Sequence, residues 1–429
     1  MADITLQAPT SSQASSSDEP LRAADGTPLK KRLAISMRRA RFRAFLLTAP
    51  LLVFILLTFI LPIGQMLGRS VNNDTFPANM PRVTEAIQVW DGETLPDESI
   101  FEAMVMDIRE AREARTIGRV ATRVNYDAPG TRSAFTKAGR RAARMEAPFT
   151  DALIAVDDEW GKIETWSAVK QAASAVTPNF YLAAVDRKRD GDGSIIMQDE
   201  NRQIYVQLFW RTFWMSALIT VLCLILAYPV SYLLSILPLK YSNLLMILVL
   251  LPFWTSLLVR TTAWIAMLQA EGVVNNLAVW VGLIDDENRL QMIYNRTGTI
   301  IAMVHILLPF MILPLYSVMK TIPPSYMRAA RSLGADQVTA YVRVYFPQTL
   351  PGIAAGTLLV FILAVGYYIT PALVGGQTGL LISNLIAFHM QSSLNWSLAA
   401  ALGGILLASV LILYWLYNRL VGIDKLKFG

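Results

Sequence analysis

The chain has 429 residues, 54% of them apolar and 16% charged, where an average soluble domain carries about 25% charge; this balance excludes an ordinary water-soluble domain and points to lipid. The formal charge of +6 is spread among short loops and an acid-rich insert and is not gathered into one basic face, which argues against a nucleic-acid partner. The single cysteine, Cys223, lies inside an apolar run, so no disulfide can form within the chain and the thiol reads as a packing residue.

Residues 1–43 are expected to form a disordered, basic cytoplasmic tail. The first 29 are rich in Ser, Ala, Pro and acids and lack an apolar period, so they bury too little surface to offset the entropy of ordering. Lys30, Lys31, Arg32, Arg38, Arg39, Arg41 and Arg43 follow, directly ahead of an apolar run from Ala44 to Met66. That run is too long for a signal peptide and has no small-residue cleavage site after it, so residues 44–67 read as a retained anchor. Basic residues beside a span stay in the cytoplasm, which places the N-terminus inside.

A segment of about 140 residues, 68–207, then reads as a small, mainly helical extracytoplasmic domain inserted between the first two spans. It holds Trp90, Trp160 and Trp166. The stretch Pro96 to Val124, with Ile100, Met104, Ile108 and Ala111 on one face and Arg109 facing Glu113, predicts an amphipathic helix. Further helices are expected over Arg132 to Met145 and Asp151 to Thr177, and Asp190-Gly-Asp-Gly193 ahead of Ser-Ile-Ile-Met marks a hairpin. A calcium loop starting at Asp186 is excluded, because its twelfth position is Met197 where Glu is needed.

Five more apolar runs lie in residues 208–417: Phe209 to Leu237, Asn243 to Leu268, Gly298 to Met319, Gly352 to Leu373 and Ser397 to Tyr417. Each is long enough to cross the roughly 30 Å hydrocarbon core, so the fold class is an all-α polytopic membrane protein with six transmembrane helices. Alternation puts Pro238 to Ser242, Lys320 to Pro351 and the tail 418–429 in the cytoplasm. These carry Lys240; Lys320, Arg328, Arg331 and Arg343; and Arg419, Lys425 and Lys427, in agreement with the positive-inside rule. The apolar stretch Val273 to Leu283, in an outer loop, is too short to span and is expected to lie on the membrane surface.

The most informative cytoplasmic stretch is 320–351. Pro323 presets a helix entry, Ser325 is placed to cap it, Tyr326 to Leu333 form about two turns, and Gly334 ends them. Asp336 then caps a second short helix, Gln337 to Tyr345, which Pro347 is expected to stop. Two brief helices joined by a glycine turn make a knuckle suited to docking another protein; the plainer reading is an ordinary loop between spans.

This stretch resembles the permease signature of ATP-binding-cassette (ABC) importers, through Arg328, Ala329, Ala330, Gly334, Val344, Phe346 and Pro347 at the family's spacing. The resemblance extends through Leu226-Ala-Tyr-Pro229, Leu251-Pro-Phe-Trp-Thr-Ser256, Leu308-Pro-Phe-Met-Ile-Leu-Pro-Leu315 and Gly366-Tyr-Tyr-Ile-Thr-Pro371, which are similar to spermidine/putrescine-type permeases. It covers about half the chain and implies the type I ABC importer permease fold, with 320–351 as the loop that couples to the ATPase. It also implies two ATPase subunits that carry the ATP and magnesium, a second permease (a heterodimer), and a periplasmic solute-binding protein. At the first signature position Arg328 stands where the family has Glu. In the reading with Ser325 as cap, this loses a capping box and opposes the helix dipole by roughly 0.3 to 1 kcal/mol.

Arg260 is the sharpest anomaly, since an Arg inside an apolar span is expensive. It either serves gating or substrate passage, or pairs with backbone carbonyls or snorkels to the interface. Trp254, Tyr367 and Tyr368 can offer aromatic faces to an ammonium group or simply pack between helices. No span has a central acid, so the solute can be a polyamine or another small polar molecule such as an amino-acid derivative or opine. His305 and His389 lack partner ligands for a metal, and no phosphate-binding Gly-x-x-x-x-Gly-Lys-Ser/Thr occurs, so the energy source belongs to another chain. A membrane receptor or an embedded enzyme is the alternative from another class; the first lacks an output domain and the second a cluster of catalytic groups.

Overall fold

The structure, a computed structural model, describes residues 29–190 and 193–421. The expected disorder of residues 1–28, Gly191 and Asp192 of the hairpin turn, and Lys425 and Lys427 all lie outside the described residues. Two units are distinguished, Met1–Gln65 and Met66–Gly429.

In the first unit, α1 (Leu29–Ile55) runs through a π-helical turn (Leu56–Ile60) into the start of α2 (Leu61–Arg69). The basic stretch from Lys30 to Arg43 is therefore helical, a correction to the expected tail boundary at 43. Phe42, Leu47, Leu51 and Phe54 are all exposed, and a helix this apolar on every face belongs in lipid or inside an assembly.

The second unit opens with the insert. Its helices are α3 (Thr75–Asn79), α4 (Pro81–Ala86), α5 (Glu98–Glu113), α6 (Ile117–Asp127), α7 (Thr131–Arg141), α8 (Phe149–Ile154), α9 (Ile163–Ala173) and α10 (Asn179–Ala184). The single helix expected over Pro96 to Val124 is two, because the chain turns at Arg115 with φ +58°. Arg109 does not pair with Glu113 either. Its guanidinium donates to the Ala142 carbonyl at 2.8 Å and the Met145 carbonyl at 2.7 Å, tying α5 to the end of α7. Phe101, Phe135, Trp160 and Trp166 fill the centre, with ring centroids 4.5 to 5.8 Å apart, each such pair adding roughly 0.5 to 1.5 kcal/mol beyond area burial. The hairpin forms as expected: β1 (Arg187–Arg189) pairs antiparallel with β2 (Ile195–Met197), Lys188 opposite Ile196.

The insert is seated on the membrane bundle. Phe180, Ala183 and Ala184 of α10 share a buried cluster with Phe209, Ile382, Leu398, Ala401 and Leu402. These last residues come from α11 (Tyr205–Ile236), α21 (Ile382–Gln391) and α22 (Trp396–Val421).

Between α11 and α21 the chain forms α12 (Leu239–Leu250), α13 (Leu257–Leu268), α14 (Val273–Trp280), α15 (Arg296–Thr321), α16 (Pro324–Ser332), α17 (Gln337–Ala340), a π turn (Tyr341–Tyr345), α18 (Phe346–Gly366), α19 (Ile369–Val374) and α20 (Gly376–Gly379). By length and composition six helical stretches among the described residues are fit to cross a membrane: Ser36–Arg69, Tyr205–Ile236, Leu257–Trp280, Arg296–Thr321, Gln337–Gly366 and Trp396–Arg419. α11 and α15 run parallel in step, with Cys223 Sγ on the Val304 carbonyl at 3.6 Å and Ser231 Oγ on that of Ile312 at 3.3 Å. α18 crosses α15 closely. A Cβ at Gly352 would lie 3.0 Å from Val318 Cβ, and one at Gly356 2.7 Å from Met311 Sδ, which is how small residues let membrane helices approach without a hydrophobic drive.

Two expected spans change. The run Asn243 to Leu268 is not one helix: α12 ends in a 3-10 turn (Leu251–Trp254), and α13 restarts after Thr255 and Ser256. Pro252 supplies the reason, since it lacks the N–H that continuation needs. The run Gly352 to Leu373 ends at Gly366, after which Tyr367 is extended and α19 starts afresh.

α11, at 32 residues, is about 48 Å long at 1.5 Å per residue. Its first turn meets the insert, and its last holds Lys320, whose Nζ donates to the Ser235 carbonyl at 3.1 Å. The insert and the 322–336 knuckle therefore lie at opposite ends of the bundle.

Candidate functional site

The knuckle is built as two caps around one glycine. α16 starts with Pro323 as its cap residue and Pro324 at the first helical position, with no side-chain cap, so Ser325 lies inside the first turn and does not cap. Arg328 consequently sits beyond the position where a capping-box Glu acts, and the expected box plays no part. At the other end the Gly334 N–H bonds the Arg331 carbonyl at 3.0 Å and the Ala335 N–H that of Ala330 at 3.1 Å, the paired closure of a Schellman motif. Gly334 takes φ +91°, a region that favours glycine. Asp336 Oδ2 then accepts from the Val338 N–H at 3.1 Å and the Thr339 N–H at 3.2 Å. The hydrogen bonds to Thr339, side chain first, hold the Asp336 carboxyl below its ordinary range.

The second helix does not stop at Pro347. α17, the π turn and α18 form one continuous rod, because the Phe346 N–H reaches back five residues to the Tyr341 carbonyl and so shifts the register ahead of a residue that cannot donate. Val344 lies within this turn. Ala329 and Ala330 lie on α16, and Phe346 is exposed with its ring 6.0 Å from that of Tyr228. Ile322, Met327 and Tyr341 pack on the bundle core, while Tyr326, Leu333, Val338 and Val342 are turned outward, Leu333 being 89% exposed.

Beneath the knuckle lies a cluster that sequence reasoning missed. Tyr232 meets Tyr341 and Tyr345 edge-on, centroids 5.4 Å away in each case, and Tyr341 stacks on Tyr345 at 5.3 Å. The Tyr341 hydroxyl donates to that of Tyr228 at 3.1 Å. Both pairs, Tyr228 with Tyr232 and Tyr341 with Tyr345, are spaced i, i+4, the signal that could have found them.

The break between α12 and α13 is closed by Arg260. Its guanidinium donates to the Pro252 carbonyl, to the Thr255 carbonyl at 3.1 Å and to Thr255 Oγ1 at 3.3 Å. The charge thus satisfies carbonyls that the helix end leaves open. Arg260 also lies within electrostatic reach of His305 and Tyr367. Trp264 Nε1 donates to His305 Nδ1 at 3.1 Å, and Thr261 and Thr370 hydroxyls lie 3.5 Å apart. Of the four expected path residues, Arg260 and Tyr367 lie within electrostatic reach of each other without a hydrogen bond between them. Trp254 is 78% exposed on the bundle surface, and Tyr368, also exposed, is fixed through its carbonyl to Asn384 Nδ2 at 2.7 Å.

At the insert end, Asp186 is 4% exposed. Its carboxylate accepts from the N–H groups of Ile204 at 3.1 Å, Tyr205 at 3.0 Å and Val206 at 2.9 Å. It therefore caps α11 from inside the insert, a second feature that the sequence did not announce.

The sequence matches the family described as binding-protein-dependent transport system inner membrane component over residues 206–422. The chain is 36% identical to the spermidine/putrescine transport system permease protein PotB of Escherichia coli (strain K12) over 197 residues, 45% of this chain and 71% of that one. Identity to PotB of Haemophilus influenzae is 36% over 221 residues, 51% and 77% of the two chains. Among solved structures, a bacterial ABC transporter involved in the import of the acidic polysaccharide alginate superposes with a TM-score of 0.44 and 19% identity, covering 54% of this chain and 82% of that one. The family match over residues 206–422 takes in the helical core that carries the knuckle, and with the permease relatives it shows that this chain belongs to the binding-protein-dependent inner-membrane transport components, as a permease of the ABC importer class.

Proposed function

We propose that this permease is the membrane gate through which an ABC importer passes a polyamine-like solute from a periplasmic binding protein to the cytoplasm. The carrying observation is the knuckle. It presents exposed apolar side chains at one end of the bundle and continues as a rod from Gln337 to Gly366, so a partner that moves it moves a span. In this reading two ATPase subunits, which hold the ATP and magnesium, seat the knuckle in the cytoplasm, and a second permease completes the path. Both termini are then cytoplasmic and the insert is periplasmic, as the basic inner loops and the opposite placement of insert and knuckle support. The similarity to spermidine/putrescine permeases supports the solute class.

A second reading has a specific observation behind it. Among the six helical stretches the one acid is Glu271 of Leu257–Trp280, and the polar cluster around Arg260 favours a solute with a carboxylate, such as an amino-acid derivative or opine. Vesicles reconstituted with the cognate ATPase and binding protein test both readings. Spermidine-stimulated hydrolysis that Leu333→Asp abolishes supports the first; hydrolysis indifferent to Leu333→Asp refutes the docking role. Stimulation by the amino-acid derivative alone selects the second. The insert, in the same scheme, cradles the loaded binding protein, and replacing residues 72–202 by a short linker should weaken binding-protein stimulation. Unchanged stimulation would count against that part.

A further inference from the structure

Apart from the bundle, the insert has a cleft of about 510 Å³ between the end of α6, the start of α9 and strand β1. Its charges are segregated by element. Asp127, Glu159 and Glu164 come from the helical side and Arg187, Lys188 and Arg189 from the strand, each side with one opposite charge, Lys162 and Asp190. Much of this is already committed. Asp127 pairs with Arg123 at 2.6 Å, Glu159 with Lys162 at 2.6 Å, and Lys188 with Asp199 at 3.0 Å.

Among the described residues Glu164, Arg187 and Arg189 have no ion-pair partner. Arg187 and Arg189 are two apart on a strand and so share one face. Two guanidinium forks on one wall suit a carboxylate, and a lone carboxylate on the other suits an ammonium group. The floor is polar and rigid. Asn179 Nδ2 donates to Gln171 Oε1 at 2.8 Å, Gln171 Nε2 donates to the Arg189 carbonyl at 3.5 Å, and Ser167, 6% exposed, has a hydroxyl without a partner. A polycation meets two arginines here and a dianion meets Glu164, so a molecule bearing both signs fits best.

We infer that this cleft binds a small amino-carboxylate zwitterion. The site also has a route to the membrane, because Arg187 follows Asp186, the carboxylate that caps α11. Occupancy of the arginine wall therefore steadies the first turn of that span. None of this depends on what the bundle transports.

A four-carbon series with different ends tests the inference: 4-aminobutyrate, putrescine and succinate, titrated calorimetrically against the full chain in lipid nanodiscs without ATPase or binding protein. The expected result is saturable binding of 4-aminobutyrate, at least tenfold tighter than either homologue. It should weaken at least tenfold both in Glu164→Gln and in the Arg187→Gln/Arg189→Gln double variant. Backbone amides 204–208 should exchange more slowly when 4-aminobutyrate is bound. These substituted side chains are at the surface, and an unchanged thermal transition verifies folding. Putrescine or succinate binding best overturns the ligand class, variants that bind like the parent overturn the location, and no saturable binding of any probe overturns the site. Failure here leaves the transport reading untouched, since that is read from coupled hydrolysis.

Discussion

Replacing Asp186 isolates the joint between insert and bundle. Its carboxylate accepts from three consecutive N–H groups at the start of α11, and loss of an N-cap costs about 0.5 to 2 kcal/mol. Asp186 also has φ +57°, where an alanine adds about 1 to 2 kcal/mol that glycine does not. Asp186→Ala should therefore loosen the first turn of α11 by about 1.5 to 4 kcal/mol and Asp186→Gly by about 0.5 to 2 kcal/mol, the difference being the backbone share. Since about 1.4 kcal/mol is a factor of ten, hydrogen exchange of amides 204–208 should accelerate roughly 12- to 700-fold in the alanine variant and up to about 30-fold in the glycine variant. Exchange unchanged in both variants, with the rest of α11 as internal reference, refutes the cap. Equal acceleration in both refutes the backbone share.

Gly334→Ala meets no atom within 4 Å, so its cost is conformational alone, about 1 kcal/mol; the coupled ATPase rate should fall while the thermal transition of the bundle hardly moves. Gly356→Leu forces a side chain into Met311 and should destabilise the α15–α18 contact by about 1 to 3 kcal/mol, read as a lower thermal transition in detergent. Arg260→Gln removes charged donors from the Pro252 and Thr255 carbonyls, each worth about 1.5 to 3 kcal/mol, and should lower the transition of the reconstituted permease and its uptake together. An uptake rate untouched in a fully assembled variant removes Arg260 from the path. In the insert, the Thr150 hydroxyl first, and then the Phe149 and Thr150 N–H groups, hold the Glu98 carboxyl below its usual 4.5 against burial. Its stabilisation is thus complete above that value and lost as pH falls through the lower folded one. Acid titration of circular dichroism should show a shallower loss in Glu98→Gln than in the parent. Burial pushes Asp107 the opposite way, so that group favours the fold as it protonates.

What was legible in the sequence is what rests on local period and spacing. The apolar runs, the basic loops between them and the Gly334 turn are all written within a few residues, and each carries its own physical reason. The capping details of α16 were not legible, because Pro323, Pro324 and Ser325 all favour a helix start and only the fold decides which one leads. Pro347 was read as a stop because proline removes a donor; the π turn ahead of it supplies the missing slack, and nothing in five ordinary residues advertises that turn. Arg260 showed as an anomaly, but its partners lie across a break that Pro252 creates, so its role required three dimensions. The Asp186 cap joins residues that the hairpin brings together, and the tyrosine cluster joins i, i+4 pairs more than a hundred positions apart in sequence. Beyond the i, i+4 spacing within each tyrosine pair, such long-range partners have no local signature. In the insert, the turn at Arg115 and the Arg109 bonds to α7 displaced a plausible helix and a plausible ion pair for the same reason.

The break between α12 and α13 makes one leg of the bundle jointed. Two short cylinders meet at a pivot whose open carbonyls are clasped by one arginine, while the leg below the knuckle is unbroken for thirty residues. In the reading proposed above, a load applied at the knuckle would travel stiffly along the second and be absorbed as bending by the first. Aperture changes would then need no rearrangement of the tightly interlocked glycine contacts and would concentrate where the clasp loosens and re-forms.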